Sequence, residues 1–289
     1  MDKTIDFKYH PILLNEADDN ELAKNGYAVF PFLEKEAIEK LSNYYFEFQK
    51  EDPNHFYSST HSPDFEFRKK TSNFIKEVIS PLAPNFFKDY KLLGGAFVVK
   101  PANGKGILQA HQDWNIVNEK QCRSYNLWIP LVDVTIENGA VFVLPGSHSK
   151  KHSYRGPGIP SIFKNIENEL WEKLTPLPMK AGEALFYDHA LLHGSPANKS
   201  DKVRVGIVCG VVSKNSEMQL YFQKNNAIEI YNLDEQFFLD KNPMNGPDGL
   251  KLIGNVEEPQ SILTKEEFED LFLPPVESKK KSWFEKLFG

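Results

Sequence analysis

The chain has 289 residues, 40% of them apolar and 13% aromatic, with a formal net charge of −6. That supplies a sizeable core, excludes a disordered chain and argues against a general nucleic-acid surface. Two cysteines, Cys122 and Cys209, do not make a disulfide framework. With no apolar h-region after Met1-Asp2-Lys3 and no apolar run of about 18 residues, a cytoplasmic protein without a membrane span is expected.

In chain order, residues 1–20 read as an extended arm or short helix, and Asn25-Gly26 as a helix end. Tyr27-Ala28-Val29-Phe30 reads as a short strand closed by Pro31. Ala37, Ile38, Leu41, Tyr44, Tyr45 and Phe48 recur at the spacing of an amphipathic helix over 33–48. Residues 51–70 look like a surface loop. A second helical piece lies within 71–88, with Phe74, Ile75, Val78 and Ile79 on one side, and stops near Pro81 and Pro84.

From Leu92 the pattern becomes short strands punctuated by Gly, Pro and Asn, at 92–100, 107–113, 123–132, 139–144, 183–188, 191–195, 202–212 and 217–222. Such a series predicts a barrel or sandwich. A Gly-, Pro-, Ser- and Lys-rich insertion at about 147–176 reads as a lid. Residues 226–289 read as a tail of helix and loop. Within it, Thr264 and Glu267 form a capping-box pattern, and Lys279-Lys280-Lys281 precedes an aromatic end at Trp283, Phe284 and Phe288. The whole chain reads as one domain: helical support at about 20–90, a core at about 92–222 and the tail.

His111-Gln112-Asp113 places two metal-ligating side chains two positions apart, on one face of a strand. A second imidazole from a distant strand would complete a set of two His and one carboxylate, which suits non-haem Fe(II). His189 and His193 both offer themselves. His193 shares strand parity with Ser195. Arg204 lies in the apolar run Val203-Arg204-Val205-Gly206-Ile207-Val208, where a guanidinium needs an anion.

These stretches, together with Asn138-Gly139-Ala140-Val141-Phe142-Val143-Leu144-Pro145-Gly146-Ser147-His148 and with Asn198, resemble the phytanoyl-CoA dioxygenase family over about residues 20–215. The resemblance implies a mainly β fold, a double-stranded β-helix with flanking N- and C-terminal helices. It implies Fe(II) held by His111, Asp113 and His193, and 2-oxoglutarate gripped by Arg204 with help from Ser195 and with Trp128 nearby. Periodicity alone adds Asn126, which shares parity with Trp128. The carboxylate at Asp113 favours hydroxylation over halogenation, since halogenating relatives have a small residue there. Such chemistry yields succinate and CO2. Trp114, Asn115, Arg123 and Arg155 are candidates for contact with a small-molecule or carrier-bound substrate. His189, His148, His152 and Cys209 are expected to be structural or solvated. The alternatives are a metal-containing barrel with isomerase or hydrolase activity, and a non-catalytic binding barrel.

Overall fold

The computed structural model describes residues 9–48, 53–256 and 260–273. The basic–aromatic end and the first eight residues lie outside these. Helices α1 (Glu16–Asn25), α2 (Lys35–Phe48) and α3 (Phe65–Ile79) and the strands β1 (Tyr27–Pro31) and β2 (Tyr57–Ser58) form the N-terminal part. Asn15 caps α1 through its side chain, and Gly26 ends it in the left-handed region at φ 83°. The expected surface loop at 51–70 is instead partly ordered. Asp64 accepts from the Phe67 amide and starts α3 six residues earlier than the apolar spacing suggests. The first buried positions of that helix are polar, Arg68, Thr71 and Ser72, so hydrophobic periodicity does not reveal them.

Two antiparallel sheets follow. The larger has the order β1-β8-β5-β10-β3-β2, where β3 is Tyr90–Lys100, β5 Ser124–Pro130, β8 Glu183–Asp188 and β10 Arg204–Ser213. The smaller has the order β4-β9-β6-β7, where β4 is Leu108–His111, β6 Val141–Val143, β7 Thr175–Leu177 and β9 His193–Ser195. Val98, Trp128, Leu185 and Tyr187 of the first sheet pack with Val141 and Val143 of the second and with Leu191 just before β9. The opposite face of the large sheet carries Phe97, Val99, Leu127, Ile129, Ile207 and Cys209 against the N-terminal helices. This is the expected double-stranded β-helix with helices at its flanks. No helix among the described residues is long and apolar enough to cross a membrane.

Two expectations need correction. The tail is not helix and loop alone: β12 (Ala227–Asn232) and β13 (Lys251–Val256) join β11 (Gln219–Lys224) in a third sheet, beside α5 (Glu235–Asp240) and α6 (Lys265–Phe272). The capping box at Thr264 and Glu267 does open α6. The insertion at 147–176 is seated rather than free. It contains the short helix α4 (Glu167–Leu170), and its Ile162, Phe163, Ile166 and Leu170 are buried with Leu263, Phe268 and Phe272 of the tail. The Phe163 ring lies 6.0 Å from that of Phe268 and 5.5 Å from that of Phe272. The apolar partners of the insertion come about 100 positions later, so local composition alone suggested mobility.

Phe163→Ala is expected to cost about 3–5 kcal/mol in chemical denaturation, as for a fully buried aromatic. Amide exchange should rise in both the insertion and α6. A loss well under about 1 kcal/mol would mean that the segment is not seated.

Candidate active site

β4 and β9 pair so that His111 stands opposite His193. The β4 strand ends there, so Asp113 is not on it, and strand periodicity does not aim its side chain. Its backbone does. The Asp113 amide donates to the His189 carbonyl at 2.8 Å, and the Asp113 carbonyl accepts from Arg155 Nε at 2.5 Å. His111 Nε2 lies 3.3 Å from Asp113 Oδ1, and His193 Nε2 lies 3.8 Å from Asp113 Oδ2. One ligand atom from each of the three falls within 4.8 Å of the others.

The ring nitrogens are assigned by their surroundings. His111 Nδ1 lies 2.7 Å from the Gln109 carbonyl and His193 Nδ1 2.9 Å from that of Leu191. A carbonyl only accepts, so each Nδ1 carries the proton and each Nε2 offers its lone pair inward. Burial pushes His193 down to about 4, which keeps it a neutral ligand. Asp113 is held well below the ordinary carboxylate range: burial opposes this, and His193 and His111 outweigh it. Asn126 Nδ2 donates to Asp113 Oδ2 at 2.8 Å and to the Tyr187 hydroxyl at 3.3 Å. Asn126 therefore faces the pocket as its parity suggests, with its amide on the carboxylate. The donor set fits a divalent metal with an open side.

At the other end of β9, Ser195 Oγ donates to the Gly139 carbonyl at 2.8 Å, and Arg204 Nη1 donates to the same oxygen at 2.6 Å. Gly139 sits at φ 88°, where a Cβ would meet Lys100 Cδ at 2.9 Å, so the turn needs glycine. The Arg204 guanidinium lies over the Trp128 ring, 5.2 Å from its centroid. Arg204 is 2% exposed, burial pushes it down to about 9, and its Nε has no hydrogen-bond partner. No carboxylate among the described residues pairs with it.

Directly across the sheet stands Lys100, a residue that sequence reasoning missed. Its Nζ donates to the carbonyls of Gly106, Ser195 and Pro196, and burial followed by the Arg204 charge pushes it down to about 6. It ends an apolar strand at a position paired with Arg204, and that register was the available signal.

A cavity of about 760 Å3 opens beside the triad. His111, Asp113, Trp114, Asn126 and His189 are among the residues that line it. Trp114 is thus placed as expected, and three other candidates are not. Asn115 is buried and accepts from the Arg155 amide at 2.6 Å. Arg123 holds Asp188 through two bonds of 2.6 and 2.7 Å. Arg155 is paired with Glu119 in the interior. A buried carboxylate already answers each arginine, and neither lines this cavity. Arg155 acts instead as a positioning residue for Asp113. The insertion contributes no lining to this cavity; it buttresses the metal loop, with Ser153 Oγ donating to Gln112 Oε1 at 3.0 Å. His189 fixes Asp113 through its carbonyl and meets Ser124 Oγ through Nδ1 at 2.9 Å, while its Nε2 has no partner. His148 packs under Gly26, where a Cβ would come within 2.5 Å of its ring. His152 is half-buried, edge-on to Tyr154, rather than fully solvated.

His111→Ala and His193→Ala are each expected to abolish divalent-metal binding in a Co(II) or Fe(II) titration, and His189→Ala to retain it. The reverse ranking would overturn the ligand assignment.

Comparison with known proteins adds four likenesses. The family model for phytanoyl-CoA dioxygenase (PhyH) matches residues 22–206. The peroxisomal phytanoyl-CoA dioxygenase of Homo sapiens is 28% identical over 130 residues, covering 42% of this chain and 38% of that protein. The phytanoyl-CoA dioxygenase domain-containing protein 1 of Danio rerio is 29% identical over 155 residues, covering 50% of this chain and 48% of that protein. The chain thus spans less than half the length of these relatives. Among solved structures, the epimerase SnoN, in complex with Fe3+, alpha ketoglutarate and nogalamycin RO, superposes with a TM-score of 0.53 at 17% identity, over 87% of this chain and 96% of that one. That likeness speaks to the fold. The family model takes in well over half of the sequence, and the chain belongs to the phytanoyl-CoA dioxygenase family.

Proposed function

We propose that the chain is an Fe(II)- and 2-oxoglutarate-dependent oxygenase that hydroxylates an unactivated C–H bond of a small-molecule or carrier-bound substrate. The observation that carries this reading is Arg204. A buried guanidinium with an orphaned Nε and no carboxylate is costly unless an anion arrives. It lies beyond Ser195 on the side of the barrel that also holds the His-Asp-His set, so one dicarboxylate could engage both ends.

His111, Asp113 and His193 would hold the metal, and Arg204, Ser195 and Lys100 would receive the far carboxylate. Fe(II) and 2-oxoglutarate together supply oxidation by dioxygen, with succinate and CO2 released. The protein contributes orientation and exclusion of water. Asn126 fixes the rotation of the Asp113 carboxylate, and Trp128 walls the guanidinium from the core. The Asp113 carboxylate occupies the place that a halide would need, which supports hydroxylation rather than halogenation. SnoN shows that this fold also carries an epimerase. A product analysis therefore decides the reaction once a substrate is in hand.

Arg204→Met is expected to weaken 2-oxoglutarate binding by about 2–5 kcal/mol, roughly 30-fold to several-thousand-fold. Arg204→Lys should recover only part, since a point charge does not copy the fork. Calorimetric titration of the anaerobic Fe(II) protein measures this. Unchanged affinity in Arg204→Met would overturn the cosubstrate assignment.

Binding should also move a proton. Lys100 is pushed down to about 6 in the free protein, so at pH 7.5 much of it is the neutral amine, which donates to two of its three carbonyls at a time. A carboxylate beside it restores its charge, so binding should take up protons at pH 7.5 and much less at pH 5. Calorimetry in buffers of different ionisation enthalpy reads the uptake. The uptake should vanish in Lys100→Met.

A further inference from the structure

A second buried cation lines the same cavity as the metal set. Arg68, on α3, is 5% exposed and lines the cavity with Thr60, His61, Glu235, Phe238 and Met244. Its Nε donates to the Ser62 carbonyl at 2.5 Å, and its Nη1 to the Lys241 carbonyl at 2.9 Å. These two bonds fix the guanidinium between the loop before α3 and the end of α5. The guanidinium lies 4.7 Å from the centroid of the Phe65 ring, and among the described residues its Nη2 makes no hydrogen bond and no carboxylate forms an ion pair with it. The acids on the elements around it are engaged elsewhere: Glu235 pairs with Lys76 at 2.8 Å, Asp240 with Lys69 at 2.7 Å, and Asp64 accepts from the Phe67 amide. Ala96, Ile116, Val208 and Met218 give the cavity an apolar wall.

We infer that the substrate is an anion, a small carboxylate or phosphate monoester with an apolar middle. Arg68 receives its charged group and the apolar wall presents its oxidisable carbon to the metal set. This inference rests on the oxygenase reading for the chemistry, and on the cavity alone for the recognition. An immobilised guanidinium with a free edge favours an oxyanion over a neutral isostere. The Lys69 and Lys76 pairs keep the neighbouring carboxylates from competing.

The test uses protein loaded with Ni(II) and 2-oxoglutarate, so that Arg204 is already occupied. Loading is checked first by 2-oxoglutarate titration, and a failure there counts against the oxygenase reading and not against this one. Ligand-observed NMR then compares phenylacetate, phenyl phosphate and the neutral isostere phenylacetamide. Wild type is expected to bind at least one of the anions about tenfold or more tighter than the amide. Preference for one anion over the other identifies the class. Arg68→Gln should abolish the discrimination while leaving 2-oxoglutarate affinity unchanged. If that variant does not fold, Met244→Glu decides instead. Met244 is 62% exposed on the cavity rim, and a carboxylate there should compete for Arg68 and remove the preference. Equal binding of anions and amide by wild type, or a preference that persists in the deciding variant, would overturn the inference.

Discussion

The site depends on one register. β4 and β9 pair so that His111 meets His193, and Leu108 meets Ser195 across a bulge. A slip of one residue would turn His193 to the other face and take Ser195 with it, because strand side chains alternate. The three-residue strand β9 therefore ties the two ends of the site together: its first residue points to the metal set, and its last to the carbonyl shared with Arg204. On its other side β9 pairs with β6, which fixes it from both edges.

The arginines divide by what answers them. Arg123 and Arg155 are buried against Asp188 and Glu119, and both pairs hold loops near the site. Arg204 and Arg68 are buried with carbonyl acceptors only. A carbonyl satisfies a donor but does not neutralise the charge, so the desolvation cost persists until an anion binds. In a chain of net charge −6, carboxylates are abundant. Two buried guanidiniums that no carboxylate among the described residues answers are where the proposed cosubstrate and substrate anions would be received.

How far the sequence reached follows the same division. His111, His193, Ser195 and Arg204 were legible because they lie on strands, where a period of 2 converts spacing into facing. Asp113 was named correctly for an incomplete reason: its aim comes from backbone bonds to His189 and Arg155, which no local pattern encodes. Arg123 and Arg155 could not be told from Arg204 by residue type, since their acids lie 65 and 36 positions away. The insertion misled for a similar reason. Its Gly and Pro content is local, whereas Phe163 finds Phe268 and Phe272 only in the folded chain. Arg68 escaped notice because α3 begins with polar buried residues.

The chemistry and the choice of substrate are carried by different parts of the chain. The stretch matched by the family model, 22–206, contains the triad and Arg204, and so the parts that any member with this mechanism needs. Much of the cavity wall lies outside it: Val208, Gly210, Met218, Glu235, Phe238, Leu239, Asn242, Pro243 and Met244. Arg68 lies inside the matched stretch, yet it is held in place by the Lys241 carbonyl, beyond it. The tail thus both lines the pocket and helps to orient Arg68 within it. On the proposed reading the family stretch would supply the oxidation, while the closure of the tail over α3 and β10 would govern which molecule reaches it.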